Sequence, residues 1–270
     1  MFLLFKRIML TKKQLALIPR SFDMVGDILI FSEFPQELVK KEKEIGNYLL
    51  KKFKHIKVIA KKTHFHSGKY RTKKIKIIAG EKRKTTIHKE SGCLLKLDVE
   101  KCYFSPRLSN ERLRIAKQVK KNESILVLFS GVSPFSCVIA KHKLVKKIYD
   151  IEINPIAHGY ATENIILNKL LNIQLLQGDV IKVLPTIKGR FDRIIMPLPK
   201  LSHTYLDLVI KKLKKKGIIH IYTFFKKDNL RKQATDLIRL YIKDFKIKKV
   251  IKCGAYSPYL YRICIDVQVV

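Results

Sequence analysis

"SILVLFSGVSPFSCVIAKHKLVKKIYDIEINPIA", residues 124–157, decides the fold. A short, largely apolar run breaks at a loop holding Gly131, passes into a helical stretch ending near Lys143, and returns to a second run, "KKIYDIEI". Apolar runs of this kind, joined by amphipathic segments, specify parallel strands covered on both faces and right-handed crossovers. The pattern continues outward. A helical "PIAHGYATENIILNKLL" leads to the strands "IQLLQGDV" and "FDRIIMPL", then to a helix-like "SHTYLDLVIKKLKKK" and the strand "GIIHIYTFF". After the helical "NLRKQATDLIRLYI" come "KIKKVIKCG" and "LYRICIDVQVV", separated by "AYSPY" and read as an antiparallel pair at one edge. The expectation is an α/β domain with a doubly wound, Rossmann-like, seven-stranded mixed sheet.

Upstream the pattern differs. "DILIF", "HIKVIAKK", "YRTKKIKIIAG" and "CLLKLDV" read as strands between basic loops, with one helix candidate, "PQELVKKEKEIGNYLLKKF". This is a small α+β layout rich in lysine. The expected division is an N-terminal extension over 1–17, a small α+β RNA-binding domain over 18–108 and the sheet domain over 109–270.

Lys and Arg number 57 against 22 acidic residues, a formal net charge of +35. Such an excess favours a polyanionic partner, because neutralising phosphates releases condensed counterions. No apolar run reaches the roughly 20 residues needed to span a bilayer. The start, "MFLLFKRIML", is interrupted by Lys6 and Arg7 and lacks a cleavage site. The five cysteines form no C-x-x-C pair, so neither a zinc site nor a disulfide framework is indicated. A cytoplasmic location is expected, with no metal, no membrane and no protein partner, and a monomeric state.

In a doubly wound sheet, ligands bind at the carboxyl ends of the strands. Gly131 follows the first strand and allows close backbone approach, although no G-x-G-x-x-G fingerprint is present. Glu152, ending the second strand, can accept both hydrogen bonds of a ribose diol, or be an ordinary acid at a helix start. Asp179, after the third strand, can accept from an adenine amino group, or cap a turn. A Pro197-Leu198-Pro199 turn follows the fourth strand, and its carbonyls can face a target base. Together these resemble the S-adenosylmethionine-dependent methyltransferase fold.

The junction narrows the resemblance. "KLDVEKCYFSPRLSNERLRIA", "LFSGVSPFS", "IEINPIA", "DRIIMPLPK" and "AYSPYLYRICID" resemble the archaeal and eukaryotic tRNA (guanine-37-N1)-methyltransferase family. "MPLP" with "FSGVSPF" and "IEINP" further resembles an archaeal branch linked to wyosine biosynthesis. The resemblance implies methyl transfer from S-adenosylmethionine to N1 of guanosine 37 in the tRNA anticodon loop. For the archaeal branch it also implies transfer to C7 of 4-demethylwyosine in tRNA-Phe, giving isowyosine. Such a reaction needs a base for the N1 proton and a donor for the charge growing at O6. By resemblance Glu111 is the base, Arg71 the O6 donor, and Arg112 holds the base carboxylate or a phosphate. Tyr103, Phe129, Gly131, Glu152, Asn154, Asp179, Pro197 and Pro199 line the cofactor pocket, and Arg71, Arg107 and Pro197 meet the substrate.

Each has a plainer reading: Glu111 and Arg112 as an exposed helical pair, Tyr103 as a core aromatic, Arg71 as a basic strand residue. The chain also departs from the family at Val127, where an acid is common, at Ser133, where a second glycine is common, and at Pro197, where an asparagine is common. Members also usually carry a further N-terminal domain that touches the tRNA body, and a short segment precedes Ile18 here. The competing readings are methylation of another RNA base, such as an rRNA guanine, and a non-catalytic RNA-binding protein with a decayed cofactor site.

Overall fold

The computed structural model describes residues 10–64, 68–200 and 202–270. Residues 1–9, which carry most of the apolar start, lie outside the described residues. Contacts divide the chain into two units, 1–89 with 96–106, and 90–95 with 107–270. The division falls at 106/107 rather than at 108/109, and six residues, Glu90–Leu95, at the closed end of a hairpin group with the second unit.

In the first unit, α1 (Lys12–Leu17) opens with a capping box between Thr11 and Gln14. Strands β1 (Phe22–Val25) and β2 (Ile28–Phe31) pair antiparallel across a two-residue turn. Gly26 sits there at φ +56°, and a Cβ on it would meet Thr86 Oγ1 at 2.1 Å, so only glycine fits. The helix candidate splits into a 3-10 turn, Gln36–Lys41, and α2 (Glu42–Lys52). This helix crosses over to β3 (Val58–Lys62), which is parallel to β2 and antiparallel to β4 (Ile75–Gly80). Ile45 and Leu49 of α2 pack with Leu29, Phe31 and Ile59. All four residues of β2 are buried, as expected for a strand flanked on both sides and covered by a helix.

Strands β5 (Thr85–Glu90) and β6 (Cys93–Asp98) form a separate two-stranded sheet. Their connection, Ser91 and Gly92, has φ of 45° and 74°, the paired positive values that a tight hairpin turn requires.

The second unit starts with a 3-10 turn, Pro106–Leu108, and α3 (Ser109–Gln118). Next come β7 (Ser124–Leu128), α4 (Pro134–His142), β8 (Lys147–Glu152), α5 (Pro155–Leu167), β9 (Ile173–Gln177), α6 (Val180–Val183) and β10 (Phe191–Met196). The rest is α7 (Leu206–Ile210), β11 (Leu213–Lys226), α8 (Leu230–Arg239), β12 (Phe245–Ser257) and β13 (Leu260–Val269). The sheet order is β12-β13-β11-β10-β7-β8-β9. Strands β7 to β11 are mutually parallel, and β13 and β12 are added antiparallel. This is the seven-stranded mixed sheet the sequence implies.

Two elements differ from the sequence reading. The helix-like 202–216 is a 3-10 turn, Ser202–Tyr205, and the five-residue α7, after which β11 begins at Leu213. Lys214, Lys215 and Lys216 look helical by charge spacing, but Leu213 pairs with Phe191 and its burial pulls the lysines into the strand. At the other end, "AYS" belongs to β12, and only Pro258 and Tyr259 turn the chain. The terminal hairpin is therefore longer than the sequence reading has it.

Candidate functional site

The carboxyl ends of the parallel strands carry the ligand-facing loops. Leu128 ends β7, and the chain turns through Phe129, Gly131 and Ser133, all at positive φ (53°, 60° and 60°). Pro134 then starts α4 with its fixed φ at the first helical position. The turn is tied to β8: Ser130 N–H donates to the Ile151 carbonyl (3.1 Å), and Gly131 N–H donates to Glu152 Oε2 (2.6 Å). Glu152 Oε1 accepts the Asn154 N–H (2.7 Å), while the Asn154 side chain caps α5 by accepting the Ile156 N–H (3.0 Å). Burial pushes the Glu152 carboxyl up against these donors. Backbone N–H groups of Gly131, Ile153 and Asn154 thus hold the carboxylate in place, leaving acceptor capacity for a vicinal diol. Ser130 Oγ is buried with no partner among the described residues, a further polar group facing this loop without an internal use. These donors and acceptors fit a ribose-bearing cofactor.

Asp179 caps α6, accepting the Ile181 N–H at 3.0 Å. It follows β9 as expected, with its capping role now explicit. Phe129 meets Tyr205 edge to face, with centroids 5.0 Å apart. Pro197 is half-buried and Pro199 buried. The turn between them is braced from downstream. Ser202 Oγ donates to the carbonyls of Met196 and Leu198 (2.8 Å each), and Leu198 N–H also donates to the Met196 carbonyl (2.9 Å). The turn itself uses the Met196 and Leu198 carbonyls; those of Pro197 and Pro199 are not part of this bracing.

Behind the loop lies Asp150, fully buried, accepting a hydrogen bond from Ser136 Oγ. Burial pushes its carboxyl up to about 7; the hydroxyls of Ser133 and Ser136 pull the other way, and Glu152 adds to the rise. An acid protonated more readily folded than unfolded loses stability as pH rises from about 4 toward 7, because the folded state holds the proton the unfolded chain releases. Asp150→Asn removes that penalty. It is expected to raise the melting temperature by several degrees, roughly 2–8 °C, at slightly alkaline pH and hardly at all below the ordinary carboxylate range. Thermal unfolding across that range checks it; a shift that does not vary with pH would refute it.

Glu111 stands in the first turn of α3 and is 6% exposed; Arg112 is 1% exposed. The pair is buried, not a solvated helical pair. Arg112 does not hold Glu111. Its guanidinium donates twice to Glu90 (2.5 Å each) and lies 5.9 Å from the Phe135 ring centroid. Neighbouring residues on a helix point about 100° apart, whereas three apart they share a face. Arg114 accordingly takes the role: its Nε and Nη2 donate to Glu111 Oε2 and Oε1 (2.7 Å each). The Tyr222 hydroxyl on β11 donates to Oε1 as well (2.8 Å).

From Arg114 a buried network runs through the sheet. Asp266 Oδ2 accepts from Arg114 Nη1 (2.6 Å) and from Gln118 (3.1 Å). Its Oδ1 meets His220 Nδ1 (2.6 Å), and His220 Nε2 faces Arg193 Nη1 (2.7 Å). Arg193, fully buried, pairs through Nε with Glu123 (2.8 Å). Arginine can only donate, so Nε2 of His220 accepts and Nδ1 carries the proton toward Asp266. Burial lowers the His220 pKa despite Asp266, in keeping with a neutral ring. His220, Cys264 and Asp266 offer ligand atoms within 4.8 Å of one another, a spacing a metal ion could use. Both ring nitrogens of His220 are engaged and two guanidiniums bracket the group, so its chemistry is that of an ion-pair network.

Three sequence-derived candidates remain, each placed within its own unit. Arg71 lies in a turn at φ +51°, not on a strand, since β4 starts at Ile75. It belongs to the first unit with Tyr103, which is half-buried. Arg107 is exposed in the 3-10 turn ahead of α3. The first unit also carries an open groove of about 830 Å³ bordered by His55, His88, Lys89, Lys96 and Arg83, whose guanidinium is taken up by Asp27 in the same lining.

Residues 86–250 match the TRM5/TYW2 methyltransferase domain, and residues 4–84 match the TYW2 N-terminal domain. The chain belongs to the TRM5/TYW2 methyltransferase family. It is 39% identical to the tRNA (guanine(37)-N(1))-methyltransferase Trm5b of Pyrococcus abyssi, over 93% of this chain and 76% of that protein. The crystal structure of Trm5b from that organism superposes with a TM-score of 0.86 at 36% identity, covering 98% of this chain and 80% of that one. The tRNA 4-demethylwyosine(37)-methyltransferase Taw21 of Saccharolobus solfataricus is 34% identical over 92% of this chain and 94% of that protein. A third relative transfers a different group. The tRNA(Phe) (4-demethylwyosine(37)-C(7)) aminocarboxypropyltransferase of Methanocaldococcus jannaschii is 33% identical over 92% of this chain and 97% of that protein.

Several residues of this TRM5/TYW2 chain escaped the sequence reading: Arg114, Tyr222, Asp266, His220, Arg193 and Asp150. Some signal for them was present. Arg114 repeats the basic residue three places after Glu111, and Asp266 and His220 interrupt the apolar runs "ICIDVQV" and "IIHIY". A polar residue inside a strand covered on both faces must find a partner, and these two find each other.

Proposed function

We propose that the chain methylates the base of nucleotide 37 in tRNA, using S-adenosylmethionine: N1 of guanosine, and in tRNA-Phe C7 of 4-demethylwyosine as well. The observation that carries this reading is the setting of Glu111, a buried carboxylate fixed by three donors at the ligand edge of a methyltransferase sheet. The three curated relatives described above differ in base and in transferred group, yet all act at position 37 of tRNA.

Bound at the β7 and β8 loops, S-adenosylmethionine supplies the methyl group. Glu152 and the Gly131 turn orient it, and Pro197 and Pro199 border it. Glu111 removes the proton on guanine N1, which frees the ring lone pair for bond formation. Oε1 already accepts from Arg114 and Tyr222, so the proton arrives at Oε2. Arg71 is retained as the donor to O6 on the resemblance alone. Pro197 removes a hydrogen-bonding side chain from the base edge; a slot without that demand admits a tricyclic base, because a site built to bond one edge rejects analogues lacking it. Five free cysteines accord with a reducing cytoplasm. Among the described residues no helix is long and apolar enough to cross a membrane.

The test is incubation with unmodified tRNA-Phe and with tRNA-Phe carrying the tricyclic intermediate, followed by digestion and mass analysis of the nucleosides. A methyl group on guanosine 37 in the first and on the tricycle in the second is expected. Modification at another position, or none, overturns the reading. An aminocarboxypropyl group in place of methyl would put the chain with the third relative.

A further inference from the structure

The sequence motif "AYSPYLYR" has no part in the site described so far, and the structure puts it beside that site. Met196, the last residue of β10, pairs with Ile221 of β11. Strand β11 then runs on for residues 222–226, five residues that at ~3.3 Å each carry it about 17 Å beyond the end of β10. It does not run alone. Strand β13 stays paired with it to Leu260, opposite Lys226, and β12 stays paired with β13 to Ser257. Three strands therefore stand up as a wall on the ligand edge of the sheet, flanking the Pro197 turn.

Side chains two apart on a strand share a face. On β11 the face that presents Tyr222 to Glu111 continues outward through Phe224 to Lys226. Phe224 packs against Tyr256 of β12 with centroids 4.7 Å apart and the ring planes tilted by 50°. Arg262 is its cross-strand neighbour on β13. Tyr256 is 58% exposed, Tyr259 at the turn is 80% exposed, and Lys226 and Lys227 are exposed too. An exposed tyrosine backed by a half-buried phenylalanine, bordered by cations and set one step beyond the proposed proton-accepting carboxylate, matches the requirements of an unstacked base with its phosphate.

We infer that this wall is a stacking platform for the unpaired nucleobase flanking the target nucleotide. Phe224 and Tyr256 provide the stack, and Lys226 meets the adjoining phosphate. The inference rests on the proposed RNA substrate and adds a contact to it: the loop is held open on both sides of the flipped-out base, which costs unstacking energy that aromatic stacking offsets. The net charge of +35 supplies the matching electrostatic attraction.

The experiment uses an anticodon stem-loop with a fluorescent adenine analogue beside the target guanosine, whose emission falls on stacking. Methyl transfer is measured in the same samples, and cofactor affinity by calorimetry certifies the fold of each variant. The wild type is expected to quench the analogue. Tyr256→Leu and Phe224→Leu are each expected to restore emission and weaken RNA binding roughly 5- to 100-fold, whereas Tyr256→Phe retains both. Lys226→Gln is expected to lower the salt dependence of binding by about one ion. If the leucine variants quench and bind like the wild type while transfer proceeds, the platform is overturned and the proposed function stands. If the wild type neither binds RNA nor transfers a methyl group, the proposed function falls and the platform with it.

Discussion

Glu111→Gln is expected to lower methyl transfer about 100- to 10,000-fold while leaving cofactor affinity within about twofold. The shape of the side chain is kept, but the proposed base is gone. Its amide would also turn a donor toward Arg114 or Tyr222, both of which donate to the carboxylate now. The split between the two measurements matters, because Glu111 sits on α3, whereas the proposed cofactor contacts sit on the β7 and β8 loops. Single-turnover transfer with saturating tRNA, set beside calorimetric titration of S-adenosylmethionine, gives both numbers. Equal losses in the two would mean that the substitution unfolds the domain rather than removes a base.

Asp266→Ala carries the largest expected effect on stability. Asp266 accepts from Arg114, Gln118 and His220 at once, and its side chain is 1% exposed. Arg114 keeps Glu111, but removing Asp266 leaves His220, Gln118 and one arm of that guanidinium without their buried acceptor at once, a change worth about 3–5 kcal/mol in sum. For a unit of this size that lowers the melting temperature on the order of 10 °C. Desolvation raises a buried carboxyl, but the hydrogen bonds from His220 and Arg114 outweigh it and hold Asp266 well below the usual carboxylate range. A group depressed in this way contributes stability above its unfolded pKa and loses it as pH falls below about 4. The wild type should therefore lose stability in acid more steeply than the alanine variant. Thermal unfolding of both across acidic to neutral pH decides the matter, and parallel curves would show that Asp266 is not the group being titrated.

Parts of this were legible in the residues and parts were not. The alternation of apolar runs with amphipathic segments placed all seven strands of the second unit: the inner strands because burial on both faces demands apolar side chains, the edge strands β9 and β12, which are largely half-buried or exposed, by their place in the alternation. It failed at residues 211–216, where a lysine run fits a helix and a half-exposed strand end equally well and pairing with β10 decides. Glu111 was reached through its motif. Its true partner was not, since the motif offers Arg112 and Arg114 alike and only the helical turn separates one that faces Glu90 from one that faces Glu111. Tyr222 lies 111 residues from Glu111 in the chain, so no local pattern connects them.

The Ser202 hydrogen bonds to Met196 and Leu198 bear on how such enzymes diversify. The backbone after β10 is fastened from a residue downstream, not by the side chain at 197. With the base-edge role proposed for position 197, scaffold and selectivity are carried by different positions. A lineage can then exchange that residue without rebuilding the loop that presents it, so a change of substrate lies one substitution away rather than one refolding away.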